Sequence, residues 1–320
     1  MGETRHSVLG ISPIRFYLHR LSVMIVIFVM VVTVTNHASI QTAHAQGSSS
    51  ENRENITLTP ASSQYTSRAG GVVNDRLTVV NDGKSADDFI VYARPYSVDS
   101  DKYSNPNFTA VTKYSDLYAW VQIPQTKYRA EPNTTTHVNY SINVPSGASP
   151  GGHYGVIFVE VQPIKSVDNA NEILRKKRVG SLVYLTVDGD IKLSGEVAPG
   201  GGIPFWQVQP PLRATASVKN TGNTHFTMST VLHVKDVLGN VKYQGKKEFY
   251  ILPGTTRKVD LDWVQASWFG LYKVALDQKF LGKAYSHEGY VLIMPRYLPA
   301  VLMIIIVIGG VYAAARRKKK

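Results

Sequence analysis

The histidine with the most suggestive surroundings is His153, in Gly151-Gly152-His153-Tyr154-Gly155. A metal site would need a second histidine or a carboxylate at ligand spacing, and none stands there. A turn or strand-edge histidine is expected instead. The flanking glycines point to close backbone approach or a bulge. They are not a phosphate loop, because no Gly-Lys-Ser/Thr follows. Asp87-Asp88, Asp99 with Asp101, and Asp188-Gly189-Asp190 are acidic pairs. None fits the twelve-residue calcium loop, and the last reads as a hairpin turn. Glycoside hydrolysis needs two carboxylates about 5–10 Å apart, a distance that sequence does not fix. Gly-x-Ser-x-Gly is absent, and so is cysteine. That excludes thiolate nucleophiles, thiolate zinc sites and a disulfide framework. The expectation is a non-catalytic protein with no cofactor and no metal. A wall-modifying enzyme with an unrecognised carboxylate pair is the alternative from another class.

Binding chemistry is better represented. Arg175-Lys176-Lys177-Arg178 is the densest basic run between the chain's two ends. It reads as a solvated loop entering a strand, or as a contact for an anionic polymer. Tyr92, Tyr96, Tyr103, Tyr114, Tyr118 and Trp120 form an aromatic cluster. Tyr118 and Trp120 are expected on one face of a strand. Tyr96, Tyr103 and Tyr114 could stack on sugar rings or on a partner protein, against core or loop packing, which is the expected role for any one of them. The net charge of +12 suggests nucleic acid until it is mapped. Arg316, Arg317, Lys318, Lys319 and Lys320 carry five of those charges. Residues 1–45 carry a net two, which leaves +5 for residues 46–315. A mildly basic body suits an anionic wall or lipid headgroups, and no nucleic-acid partner is expected.

Two apolar segments set the topology. Arg15 and Arg20 precede a run from Leu21 to Val34, and Ala43-His44-Ala45 follows. This is the order of a signal peptide over 1–45, with an uncleaved span as the alternative. Leu298 to Ala315 is uncharged and rich in Ile, Val and Leu. Its length matches a bilayer's hydrocarbon core. A transmembrane helix is expected over 297–315, with a basic tail, 316–320, on the cytoplasmic side. The expected location is the cytoplasmic membrane, single-pass, with the body outside.

Between these segments the pattern is β. Residues 46–55 read as a flexible leader. From Ile56 on, short β-branched and aromatic runs alternate with turn residues. Ala198-Pro199-Gly200-Gly201-Gly202-Ile203-Pro204 interrupts them. It is read as a linker (198–204) between a first domain, 56–197, and a second, 205–295. The two blocks repeat one plan. Val80-Asn81-Asp82-Gly83 corresponds to Val218-Lys219-Asn220-Thr221-Gly222. Pro132-Asn133-Thr134 corresponds to Pro253-Gly254-Thr255, and Gly152-His153-Tyr154 to Gly270-Leu271-Tyr272. The first block carries an insertion around Ser97–Asp116, where a surface loop belongs. The order fits two tandem immunoglobulin-like β-sandwiches, an all-β fold. The Asn-x-Gly elements are read as hairpin turns of positive φ. Gly-x-Tyr, at Gly152/Tyr154 and Gly270/Tyr272, is read as a tyrosine corner. Leu252-Pro253-Gly254-Thr255-Thr256 is read as a turn between strands.

This architecture resembles the WxL-interacting proteins of Gram-positive surfaces. The residues that carry the likeness are Leu77-Thr78-Val79-Val80-Asn81, Tyr92-Ala93-Arg94-Pro95-Tyr96, and Val144-Pro145 through Pro150-Gly151-Gly152-His153-Tyr154-Gly155-Val156-Ile157-Phe158. The resemblance implies a peptidoglycan-binding first domain and a second domain that binds WxL-domain proteins. It implies no particular ligand residue. A looser analogy is to PapD-like pilus chaperones, which share the sandwich but are soluble. The expected partners are a cell-wall polymer, peptidoglycan or an anionic glycan, and/or surface proteins. An anchored chaperone-like factor for assembling surface polymers or pili is the alternative.

Overall fold

The computed structural model describes residues 56–99, 101–162 and 177–317. The expected signal peptide and leader, Arg175, Lys176 and Lys318–Lys320 lie outside the described residues.

Both blocks are immunoglobulin-like sandwiches. In the first, the leading strand is split at Pro60. Its first half, β1 (Ile56–Thr59), pairs antiparallel with β3 (Val72–Asn81). Its second half, β2 (Ser62–Ser67), crosses to the other sheet and runs parallel to β11 (Lys177–Val187). The first sheet continues from β3 to β9 (Thr134–Asn143) and the short β7 (Val121–Gln122). The facing sheet continues from β11 to β10 (Gly151–Val161), β4 (Asp87–Pro95) and β8 (Lys127–Ala130). Alternate residues point inward, so Leu77, Val79, Val138, Ile142, Ile157 and Leu185 meet in one core. The insertion forms a two-residue hairpin, β5 (Ser97–Val98) and β6 (Pro106–Asn107). A 3-10 turn at Leu117–Ala119 follows. Tyr118 and Trp120 therefore do not share a strand face: Tyr118 lies in that turn and Trp120, just after it, is buried in the core.

The second sandwich repeats the plan. β12 (Gly195–Val197) pairs with β14 (Leu212–Asn220), which pairs with β17 (Thr256–Trp263). β13 (Trp206–Gln207) crosses to run parallel to β19 (Lys283–Ile293). That sheet continues through β18 (Gly270–Phe280), β15 (Phe226–Asp236) and β16 (Val241–Ile251). Leu212, Val218, Met228, Leu232, Leu261 and Leu276 fill its core.

The segment 198–204 belongs to this sandwich and does not link the two. Ala198 donates its N–H to Ser217, and Gly202 exchanges both backbone bonds with Thr215. The backbone approaches so closely that a Cβ on Gly201 would lie 2.8 Å from the Thr215 carbonyl oxygen. With Gly195–Val197 also paired to β14, the chain changes sandwich at 188–194. Asp188-Gly189-Asp190 is part of that crossing and is not a hairpin turn.

The repeated Asn-x-Gly has a different role from the one its sequence suggests. Asn81 and Asn220 are fully buried. Each side chain holds three backbone groups. The Asn81 amide donates to Ser85 and Ala130 carbonyls and its oxygen accepts from Gly83 N–H. The Asn220 amide donates to Thr224 and Ile251, and its oxygen accepts from Gly222 N–H. Positive φ falls at the other repeated element, at Asn133 (55°) and Gly254 (72°), just after Pro132 and Pro253. That is the second central position of a Pro-Gly or Pro-Asn turn. Leu252–Thr255 is accordingly the turn between β16 and β17.

None of the residues of α1 (Leu298–Arg317) is buried. An 18-residue window of it has mean hydropathy 2.4, so it is long and apolar enough to cross a membrane. At 1.5 Å per residue it reaches roughly 30 Å. Pro299 sits in its first turn, where a missing N–H costs nothing.

Candidate functional site

The Gly-Gly-His-Tyr-Gly segment opens β10 at the end of the first sandwich that meets the second. Gly151 has φ 125°, and a Cβ there would lie 2.6 Å from the Asn223 carbonyl oxygen. The second sandwich's loop rests directly on this backbone, and Gly152 N–H donates to that same oxygen at 2.8 Å. A Cβ on Gly152 would overlap the Tyr154 hydroxyl oxygen at 1.9 Å, so the phenol end of that ring sits directly over this glycine. The 3-10 turn packs over Gly155 in the same way. Tyr154 is not a corner within its own domain. Its hydroxyl accepts from His225 N–H at 2.9 Å, across the joint. Gly270 and Tyr272 occupy the matching place in β18. There Tyr272 packs edge-on against Trp263 inside the second core.

His153 is buried and clamped, unlike the turn or edge histidine expected. Its Nε2 donates to the Ser149 carbonyl at 2.9 Å, and its Nδ1 lies 2.7 Å from an Asp116 carboxylate oxygen. Trp120 covers the ring at 4.5 Å. It ties the insertion's end to β10. Among the described residues no three His, Asp or Glu side chains stand together as a metal site.

The insertion seals the joint. Tyr96, Tyr154, Tyr184 and Leu252 form a third buried cluster, with Tyr103, Phe108, Tyr114 and Tyr250 packed on it. Leu252 and Tyr250 come from the second sandwich. Tyr103 reaches the Thr255 hydroxyl and accepts from Leu252 N–H. Arg257 lies 4.2 Å over the Tyr103 ring, and Lys258 pairs with Asp101 at 2.7 Å. Burial pushes the phenols of Tyr96, Tyr103, Tyr154 and Tyr184 up, so they act as neutral hydrogen-bond groups. Tyr96 and Tyr103 are thus joint residues, not surface contacts. Tyr114 is half-buried at the same cluster, and its carbonyl accepts from Tyr154 N–H.

His225 is the joint residue that sequence gave no reason to select. The rings of Tyr154, Tyr184 and Tyr250 lie within 5.2–5.7 Å of it. Its Nε2 faces Gln64 Oε1, and its Nδ1 faces the Tyr154 hydroxyl, both at 3.3 Å. A neutral ring with the proton on Nε2 satisfies both contacts. Burial lowers its pKa to about 4. The crossing is strapped down as well. Asn223 donates to Asp190 and accepts from Lys192 N–H, and Thr221 and Gly222 both bond the Ser194 carbonyl.

Among the described residues, the outer side of β11 is only partly paired. β2 covers β11 only from Leu182 to Val187, and Leu182 N–H donates to Ala61 on that side. Ladder groups alternate by two, so Gly180 and Arg178 turn their N–H and C=O the same way. Among the described residues no strand pairs that side of Arg178–Ser181. Arg178 stacks over Phe158 at 4.6 Å and Phe108 at 5.8 Å, so the described end of the basic run packs on its own sheet. Lys177 opens the strand opposite Val161. By contrast β16, the long edge of the second sandwich, carries Lys242, Lys246, Lys247 and Glu248, which blunt it.

No protein-family model matches the chain, and no curated protein matches it in sequence. Solved structures similar to it include the class 5 fimbriae chaperone CfaA, at 10% identity over 74% of this chain and 99% of that chain, with a TM-score of 0.38. The YadV chaperone is similar at 9% identity over 74% of this chain and 99% of that chain, TM-score 0.38. The CupB2 chaperone of Pseudomonas aeruginosa is similar at 11% over 73% and 100%, TM-score 0.36. The sandwich order itself stands on the strand pairing of this chain.

Proposed function

We propose that this chain is a non-catalytic, membrane-anchored surface protein that receives an extended segment of a partner protein along β11. The observation that carries the reading is the stretch Arg178–Ser181 of β11, whose outer side no strand pairs among the described residues, next to the part that β2 covers. An exposed edge of this kind takes an added strand through main-chain hydrogen bonds. The sealed joint supports the same reading, since it ties the sandwich that bears this edge to the one that leads into α1. This is the alternative of an anchored chaperone-like factor. A wall polymer, as the WxL resemblance implies, is the competing ligand.

Two substitutions at one position separate these readings. Arg178→Ala keeps the outward N–H and removes the guanidinium; Arg178→Pro also removes the N–H, at an edge position where proline is tolerated. The full chain in nanodiscs would be offered the secreted proteins of the same cells, and separately purified sacculi. Arg178→Pro should reduce protein capture about tenfold below Arg178→Ala, the loss of one ladder bond. Equal capture by the two variants would remove the edge from the account. Capture of sacculi alone, lost equally in both, would restore the wall-polymer reading.

A further inference from the structure

The end of the second sandwich opposite the joint is apolar where it should be wet. Ladder register places four segments there. Gly270 pairs with Ile293, Trp206 with Leu292, Asp236 with Tyr272, and Leu212 with Trp263. The turns 205–211, 237–241 and 264–269 therefore all gather where β19 hands the chain to α1. Phe205, Trp206, Leu238, Val264, Trp268 and Phe269 are exposed on them, Leu238 at 85%. Residues 205–211, 237–241 and 264–269 contain no charged residue, while Asp236 caps the second turn from behind its tip and pairs there with Lys242, and the junction 294–297 contains only Arg296. Apolar loop tips without a carboxylate are rare on a surface that faces water.

We propose that this rim rests in the interface of the bilayer that α1 crosses, with Trp206, Trp268, Phe269 and Leu238 among the headgroups. The proposal rests on reading α1 as a membrane span. Three observations select lipid as the occupant. Only four residues separate Ile293 from Leu298, so the end of β19, beside which the rim gathers, lies within roughly 18 Å of the helix start. Trp206 donates its indole N–H to the Met294 carbonyl at 2.8 Å, which fixes one rim residue to the root of the anchor. Tryptophan, with an apolar body and one donor, is the side chain that favours the headgroup level, and Arg296 and Tyr297 complete such a belt. The strands between rim and joint are eleven residues long, so a docked rim would hold the joint roughly 35 Å above the bilayer.

The tryptophans make the test direct. The chain has four. Trp120 and Trp263 are each 8% exposed within the cores, Trp206 and Trp268 are 49% and 65% exposed on the rim, and α1 has none. The full chain would be placed in nanodiscs of ordinary or shallowly brominated phospholipid, and disc-bound protein isolated. Brominated discs should cut tryptophan emission to about half, the share of the two rim residues in contact with lipid. The double variant Trp206→Phe, Trp268→Phe should lose that drop. Disc-bound protein with unchanged emission, or a drop that survives the double variant, would overturn the rim while leaving α1 a span. Protein that does not enter discs would overturn the span and the rim together.

Discussion

Replacing Asn220 with alanine should destabilise the second sandwich by about 4 kcal/mol, and Asn81→Ala should do the same to the first. The reason is that each side chain satisfies three backbone groups at once and is fully buried. Alanine leaves two carbonyls and one N–H without partners, at about 1–3 kcal/mol each, partly relieved by water. The bonds also hold the loop after β3 or β14 to the end of the strand that precedes each Pro-turn. Losing them opens both corners together. Asn139→Ala, on an exposed strand face, should stay within about 0.5 kcal/mol of the parent. Denaturant unfolding of the three variants decides the matter. An Asn220→Ala midpoint that matches Asn139→Ala would show that the buried side chain is not the clamp described.

The second large effect is on pH. His225 is held neutral at the joint, with its pKa lowered from 6.5 to about 4 by burial among Tyr154, Tyr184 and Tyr250. The unfolded chain therefore binds a proton between these two values that the folded chain refuses. Stability from this group is complete above pH 6.5 and is lost as pH falls toward about 4. The slope is at most roughly 1.4 kcal/mol per pH unit, and the total about 3 kcal/mol. Charged groups at the joint include Arg257, Lys258 and Asp101. Lys258 lowers the pKa of Asp101, so that carboxylate stays ionised through this window. His225→Gln should flatten the difference: stability measured by urea titration at pH 4.5, 5.5 and 6.5 should fall in the parent and much less in the variant. Parallel pH profiles for the two proteins would contradict a neutral, buried His225.

Much of the fold was legible because its signals are local. Period-two runs located the long strands, and three matched elements revealed the repeat. The apolar segment marked α1 within a few residues. What was not legible depends on long-range partners. Asn81-Asp82-Gly83 looks like a turn of positive φ, yet its asparagine reaches residues 49 positions away for its acceptor. Nothing in a local window distinguishes those uses. Gly195–Val197 is too short to show a period, and its neighbouring glycines signal flexibility although they allow close strand approach. Tyr96 and Tyr103 have the composition of a sugar-binding loop. Their burial follows from Leu252 and Thr255, some 150 residues on. One signal was available: β10 reads Tyr154-Gly155-Val156-Ile157-Phe158-Val159, apolar on both faces. A strand in a one-layer-covered sheet alternates, so a continuous run announces a second cover. That cover is the insertion with the second sandwich.

The proposed display of this body outside the membrane by α1 is tested most directly by labelling. The chain contains no cysteine, so one introduced thiol is a clean reporter. Asp190→Cys, at the exposed crossing between sandwiches, and Lys318→Cys, behind α1, would each be expressed in intact cells. A membrane-impermeant maleimide should label Asp190→Cys at once and Lys318→Cys only after the membrane is broken. Labelling of Lys318→Cys in intact cells, with Asp190→Cys protected, would invert the topology and contradict a binding module held outside the membrane.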